Sequence, residues 1–326
     1  MTPIYKVSVN GSNVTDLIKT RLLSLTITDE AGWDSDSVSL TLDDRDSMLE
    51  MPKTGASIEV SLGFKGNKGL VNMGTYTVDE VTLSGSPEKM VIRGKAADLG
   101  SKGTIKDQKT KQWEDKTVKE IVSEVASKHG LSPKVGSDLS GKKIKDLAQT
   151  DESDIHLLSR IAQKYDAVVK VTQNYLIFSK RGASRAVSGN PVPPIKITKN
   201  QCKPSYSMTR AERPAINSIQ AKWHNKATAK VEKVETSSEK PQKVLRHTYD
   251  SKDEAESASK SELAKLKRDE AKMNFTLAIG NPAVAAEGHI ILQEFREGIN
   301  GVWNATSVTH TWSNAGATTR VSAEAV

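Results

Sequence analysis

Apolar side chains fall on every second position through most of the first hundred residues, and that period restricts the opening part of the chain to β-strands. Val7 and Val9 alternate with polar neighbours, as do Leu23, Leu25 and Ile27, then Val38, Leu40 and Leu42, then Ile58, Val60, Leu62 and Phe64. Tyr76 and Val78 keep the period, but Val81 and Leu83 resume it one residue out of phase, which predicts a β-bulge between them. Met90 and Ile92 close the series before Gly94. Turn residues punctuate the runs: Asn10-Gly11, Gly32, Asp43-Asp44, Pro52, Gly55, Gly66, Gly69 and Gly85-Ser86-Pro87. Asn10-Gly11 suits a two-residue hairpin, because both residues tolerate positive φ. Six short strands at this spacing predict a small barrel or sandwich.

Past residue 100 the period lengthens. After a Lys-rich stretch from Gly100 to Lys111, Thr117 and Glu120 form the signature of a capping box. Val118, Ile121, Val122 and Val125 follow at helical spacing, and Gly130 ends the helix. Ser153-Asp154 opens a second helix with Ile155, Leu158, Ile161 and Ala162 on one face. Val168, Val169 and Val171 then pair with Leu176, Ile177 and Phe178 across Gln173-Asn174. Strands return at Ile219-Ala221-Trp223, followed by a Lys/Glu-rich stretch from Asn225 to Lys243 and an exposed helix over about 251–272. Phe275 to Ile279, Ile290-Leu292, Val302 to Val308 and Arg320-Ser322 complete the pattern. A length of 326 residues leaves room for two or three domains at about 150 residues each. The expected fold is β-rich α+β, with β-barrels at 1–100 and 201–326 flanking an α+β insertion module at 101–200.

The motifs do not point to catalysis. No apolar run approaches the ~20 residues of a membrane span, so stable membrane insertion is not expected. The N-terminal residues lack a secretory pattern, which predicts a protein made and folded in a cytosol. A single cysteine, Cys202, excludes an internal disulfide or a cysteine-based zinc cluster and reads as a bystander thiol. The six histidines, His129, His156, His224, His247, His289 and His310, form no H-x-x-x-H pair. Glu287 and His289 would share a strand face and could offer one metal contact, but beside Gly288 they read better as a polar pair flanking a turn. Ser140-Gly141-Lys142-Lys143 lacks the remaining parts of a phosphate-binding loop, and no G-x-S-x-G elbow exists. Asp43-Asp44 reads as a turn rather than an acid pair. The four N-x-[ST] sequons, at Asn10, Asn13, Asn274 and Asn304, are incidental without secretion. No catalytic, cofactor-binding or metal-ligating residue is expected, and no cofactor.

With 47 Lys+Arg against 40 Asp+Glu, the net charge is +7. The lysines cluster at 102–111, 142–145 and 222–233, mostly in loops and mixed with acidic residues, without interleaved aromatics. That pattern reads as a solvated surface, so no specific nucleic-acid recognition is expected.

The second helix carries a resemblance. Glu152-Ser153-Asp154-Ile155-His156-Leu157-Leu158-Ser159-Arg160-Ile161-Ala162, closing at Tyr165-Asp166, resembles the marker segment of phage late control protein D and of the N-terminal part of VgrG proteins. Gly32 to Leu40, Gly74 to Asp79, Thr117 to Leu131, Gly280-Asn281-Pro282, Gly288-His289, Ile299 to Trp303 and Val308-Thr309-His310 are similar to further pieces of that family, in the same order along nearly the whole chain. Asp166 departs from the glycine common there, which puts the helix stop in question. The resemblance implies a baseplate hub of a contractile phage tail or tail-like particle, with two tail-tube-like β-barrels per subunit. It implies a homotrimer whose ring adapts the six-fold tail tube to the three-fold central spike. The implied partners are the tail tube protein, a separate spike protein (since the chain ends at Val326), and other baseplate and tape-measure proteins. The implied location is the virion tail baseplate, after assembly in the host bacterial cytoplasm. A tail-associated cell-wall hydrolase and a DNA-binding control protein are the competing classes.

Overall fold

The structure, a computed structural model, describes the chain apart from residues 33–34, 67–68, 97–102, 173, 185–191 and 211–215. Trp33, Asp34, Gly100, Lys102 and Gln173, named above, lie outside the described residues. The first stretch comprises β1 (Pro3–Val9), β2 (Ser12–Asn13), α1 (Thr15–Ile18), β3 (Leu22–Glu30), β4 (Ser37–Asp43), β5 (Ser57–Phe64), β6 (Val71–Ser84) and β7 (Lys89–Lys95). Next come β8 (Gln108–Thr117), α2 (Val118–Lys128), β9 (Ser132–Val135), α3 (Ser137–Ser140), β10 (Lys143–Ser153), α4 (Asp154–Lys164), β11 (Ala167–Val171) and β12 (Tyr175–Lys180). The last stretch holds β13 (Ile195–Thr198), β14 (Ser207–Arg210), β15 (Ser218–Asn225), β16 (Lys230–Glu235), β17 (Gln242–Tyr249) and α5 (Lys252–Arg268). It ends with β18 (Ala271–Leu277), β19 (His289–Gln293), β20 (Gly301–Ser313) and β21 (Gly316–Ala325).

Local signals set many of these elements. Asn10 (φ 47°) and Gly11 (φ 81°) make the tight turn between β1 and β2. The phase change in β6 is a register shift against β7 between Val78 and Glu80. A second shift, between Leu22 and Ser24 of β3, turns Leu23 outward to 41% exposure and puts Leu22 in the core in its place. The Thr117 side chain accepts from Glu120 N while the Glu120 side chain accepts from Thr117 N, closing the capping box of α2. Ser153 caps α4, which buries Leu157, Leu158, Ile161 and Ala162, with Ile155 left partly exposed.

The expectation of two β-barrels is overturned. Thirteen strands from the first and last stretches form one sheet in the order β14-β18-β21-β20-β3-β4-β7-β6-β5-β1-β2, with β13 and β19 branching from β20. Among the described residues no ladder returns from one end of this path to the other, and no sheet closes into a barrel. The reason lies in β20, which is 13 residues long. One of its edges pairs with β21 along its length. The other pairs with β19 over Gly301–Asn304 and then with β3 over Ser307–Trp312. Through β20 the strands of the first and last stretches are joined into one sheet, and the outer edges of its end strands β14 and β2, and of the branch strand β13, meet no partner among the described residues that would close it.

Three main clusters of buried apolar residues underlie this arrangement. The first gathers β1 and β3–β7 and takes in Trp312 from β20. The second is built wholly from residues 113–178, where α2 and α4 pack with the β8–β10 ribbon and the mixed β11-β12-β9 sheet. The third joins β13, β18–β21 and the loops between them. A small fourth cluster, Ala221, Val234 and Ala255, lies between the β16-β15-β17 sheet and α5.

Candidate functional site

The polar residues that the sequence singled out hold the fold together. Ser153 caps α4, Glu152 receives Arg160 (2.7 Å) and His156 (2.8 Å), and Asp154 is buried at the helix start. Around Asp154 gather Lys109 at 2.5 Å, His129 at 2.8 Å and Gln149 at 3.1 Å, tying the β8–β10 ribbon to α2. Burial opposes ionisation of Asp154, but hydrogen bonds from Lys109, His129 and Gln149 outweigh it and hold the carboxyl below its ordinary range. Asp166, where the resemblance expected glycine, does adopt the left-handed conformation that ends α4 (φ 51°), and its carboxylate clasps the Arg268 guanidinium at the end of α5. The helix therefore stops where the resemblance places it, and the side chain that glycine would lack makes a contact of its own.

The histidines and acid pairs do not converge on a reaction centre. His310 sits between Thr319 Oγ1 and Val284 O, both at 3.0 Å, and burial lowers its pKa to about 4. Glu287 takes up φ 60° and its Oε2 accepts from Gly182 N at 2.7 Å. Burial raises its pKa, with the Gly182 hydrogen bond opposing. Asp43 pairs with Arg45 two residues on, and Asp44 accepts from Leu49 N, as turn residues do. Burial pushes the Cys202 thiol up to about 11, which leaves it unreactive. Among the described residues no group of three His, Cys, Asp or Glu is placed to hold a metal ion.

A charged cluster that sequence reading missed lies where the three stretches of chain meet. Lys170 Nζ of β11 donates to Asp29 at 2.7 Å and to Glu30 O at 3.1 Å, and it pairs with Asp36 at 2.8 Å. Asp29 Oδ2 also accepts from Ala286 N at 2.8 Å, reaching the loop before β19. Burial, then the neighbouring Asp29, raises Asp36 to about 7. Burial acts on Asp29 in the same direction, but Lys170 and the Ala286 hydrogen bond hold it below its ordinary range. Burial would lower Lys170, yet the two carboxylates raise it. One cation thus serves two carboxylates, and a single charge set joins all three stretches.

The surface offers features suited to assembly. β14 and β2 end the large sheet and β13 ends its branch, so each leaves a backbone edge without a strand partner among the described residues. Such edges are pairing sites unless covered. At the β6–β7 end, Leu49, Met51, Leu83 and Met90 line a hollow of about 470 Å³, with Met51 and Leu83 more than half exposed. Apolar groups gathered in this way mark contact surfaces more often than isolated ones do. Gly280 of the Gly280-Asn281-Pro282 segment is fixed by packing, since a Cβ there would lie 2.7 Å from the Trp312 ring.

Comparison with known proteins bears on these surfaces. Residues 37–316 match the phage tail baseplate hub (GPD) family. The chain is 29% identical to the probable baseplate hub proteins of Escherichia phages 186 and P2, with 99% of the chain and 93% of each relative aligned. Among solved structures, the 43 kDa tail protein of prophage MuSo2 from Shewanella oneidensis shares the fold with a TM-score of 0.71. Its identity is 14%, with 99% of this chain and 98% of that one covered.

Proposed function

The chain belongs to the phage tail baseplate hub family and has a structural, non-enzymatic role in a phage-type tail, and from that premise we propose that it acts there as a homotrimeric ring. In this reading the ring joins the tail tube, on one side, to a separately encoded central spike on the other, and mediates the change from six-fold to three-fold symmetry. Contacts with other baseplate and tape-measure proteins follow from that position, and assembly takes place in the host cytoplasm. The observation that carries the proposal is the open thirteen-stranded sheet: its unpaired ends and the apolar hollow at the β6–β7 end are surfaces that a lone subunit leaves to water. A closed ring of subunits covers them, as obligate interfaces of more than ~2,000 Å² do. The separate buried clusters support a three-part organisation near 1–100, 101–200 and 201–326, with the middle part as an inserted module.

Light scattering on the purified chain at micromolar concentration tests the reading. Trimers, or aggregation of dissociated subunits, are expected; a stable and well-behaved monomer would overturn it.

A further inference from the structure

The β16-β15-β17 sheet packs one face on α5; on the other face Ser218 and Gln220 are buried, but among the described residues the positions beyond them, from Lys222 outward, are partly or fully exposed. Ala221 and Val234 meet Ala255 of α5, with Trp223, Leu245 and Tyr249 packed around them, so the alternate residues face outward. Those are Gln220, Lys222 and His224 on β15, Val231, Lys233 and Glu235 on β16, and Val244, Arg246 and Thr248 on β17. Lys222 stands directly opposite Lys233 in the antiparallel ladder. Like charges directly opposite one another on a sheet destabilise it. Among the described residues no carboxylate forms an ion pair with Lys222, Lys233 or Arg246. The one acid on this face, Glu235, accepts a hydrogen bond from Gln220 at 2.5 Å.

We propose that this outward face is a docking surface for an acidic protein partner, whose carboxylates seat between Lys222, Lys233 and Arg246. The inference goes beyond the hub reading, which assigns no partner to this sheet. Val231 and Val244, 56% and 45% exposed, flank the cations and supply apolar contact beside the charge. A nucleic acid fits less well. The aromatic rings of the sheet, Trp223 and Tyr249, pack inward, leaving no platform for bases, and Glu235 repels a phosphate backbone.

The test is Lys233→Glu in the full chain, with Lys53→Glu, an exposed lysine before β5, as a control of equal charge change. Poly-L-glutamate is the probe, with duplex DNA measured alongside. Lys233→Glu replaces a like-charge pair with an opposite one, so its melting temperature rises by a few degrees while poly-L-glutamate binding weakens about fivefold to tenfold. Lys53→Glu leaves binding near wild type. Arg246→Glu, opposite no lysine, gives the same loss of binding by an independent substitution. Equal loss in Lys53→Glu, unchanged binding in Lys233→Glu, or tighter binding of DNA than of poly-L-glutamate at this face would each overturn the proposal. So would a change of subunit count in Lys233→Glu, which would assign the face to a second copy of the chain.

Discussion

Replacing Lys170 with methionine removes the only cation that, among the described residues, pairs with Asp29 and Asp36, and leaves two carboxylates side by side at the meeting point of the three stretches. Methionine keeps most of the side chain's volume, so the loss is chiefly electrostatic. Removing one partner of a buried pair costs about 3–5 kcal/mol. The three side chains retain 21%, 21% and 18% exposure, so water screens part of the repulsion and the lower end applies. A loss of about 3 kcal/mol corresponds to roughly a hundredfold shift of the unfolding equilibrium.

The pH dependence gives the prediction its discriminating power. With Lys170 gone, both carboxyls have folded-state pKa values raised above the unfolded value of ~3.8. A group of that kind contributes stability that is fully present below the unfolded pKa and is lost as pH rises through the folded one. The deficit of Lys170→Met is therefore largest at pH 8 and shrinks toward pH 5. In the native protein Asp36 behaves in the same sense, losing its contribution as pH climbs through about 7. Asp29, held low, behaves oppositely, losing its contribution as pH falls below the unfolded value. Asp36→Asn, which imitates the protonated form, is accordingly close to neutral only at or below the unfolded value of ~3.8, and is already stabilising at pH 6 and more so at pH 8. Urea denaturation at several pH values, followed by circular dichroism, measures both variants. A loss below about 1 kcal/mol for Lys170→Met, or one that is the same at pH 5 and pH 8, refutes the reasoning.

Two other substitutions probe the joints of the fold. Trp312→Ala leaves a cavity beside Phe64 and removes the indole donor to Gly63 O, at an expected cost of about 3–5 kcal/mol; calorimetry that leaves the first stretch's transition unmoved contradicts its place in that core. Asp166→Ala loses the clasp on Arg268 while keeping a side chain at positive φ, whereas Asp166→Gly loses the clasp but regains about 1 kcal/mol of backbone freedom. Melting temperatures are expected in the order wild type, Gly, Ala, and a glycine variant more stable than wild type would show that the ion pair contributes less than the roughly 1 kcal/mol that glycine regains.

What could be seen in the sequence was what neighbouring residues decide among themselves. Asn10-Gly11, the Thr117–Glu120 box, Ser153 and the phase slip in β6 each act over a few positions, and each appears where the pattern placed it. The Leu22–Ser24 shift escaped notice because Leu22 and Leu23 are both apolar and the alternation can run through either. β16 escaped as well, since Lys230 to Glu235 carries a single buried valine. The two-barrel expectation failed for a different reason. Period two reports that a strand exists and which of its faces is apolar, but not which edge it shares, and β3 meets β20 from the opposite end of the chain. The Asp29–Asp36–Lys170 cluster is likewise assembled from positions far apart, and Lys170 lies in an otherwise apolar strand with no local sign of a role.

The dual pairing of β20 has a mechanical consequence. A load that separates the first stretch from the last acts on the ladder running from Ser307–Glu30 to Trp312–Leu25. When the load runs along the strands, these rungs resist together, in shear. When it pulls across the strands, they open one after another from an end. Trp312, at the far rung, is anchored by its indole to Gly63 O and its ring is packed near Phe64, so opening from that end must first extract a buried tryptophan. At the Ser307 end the Ser307–Glu30 and Ala286–Asp29 hydrogen bonds pin the same joint, so the ladder is held at both ends and the fold is stiffest along β20.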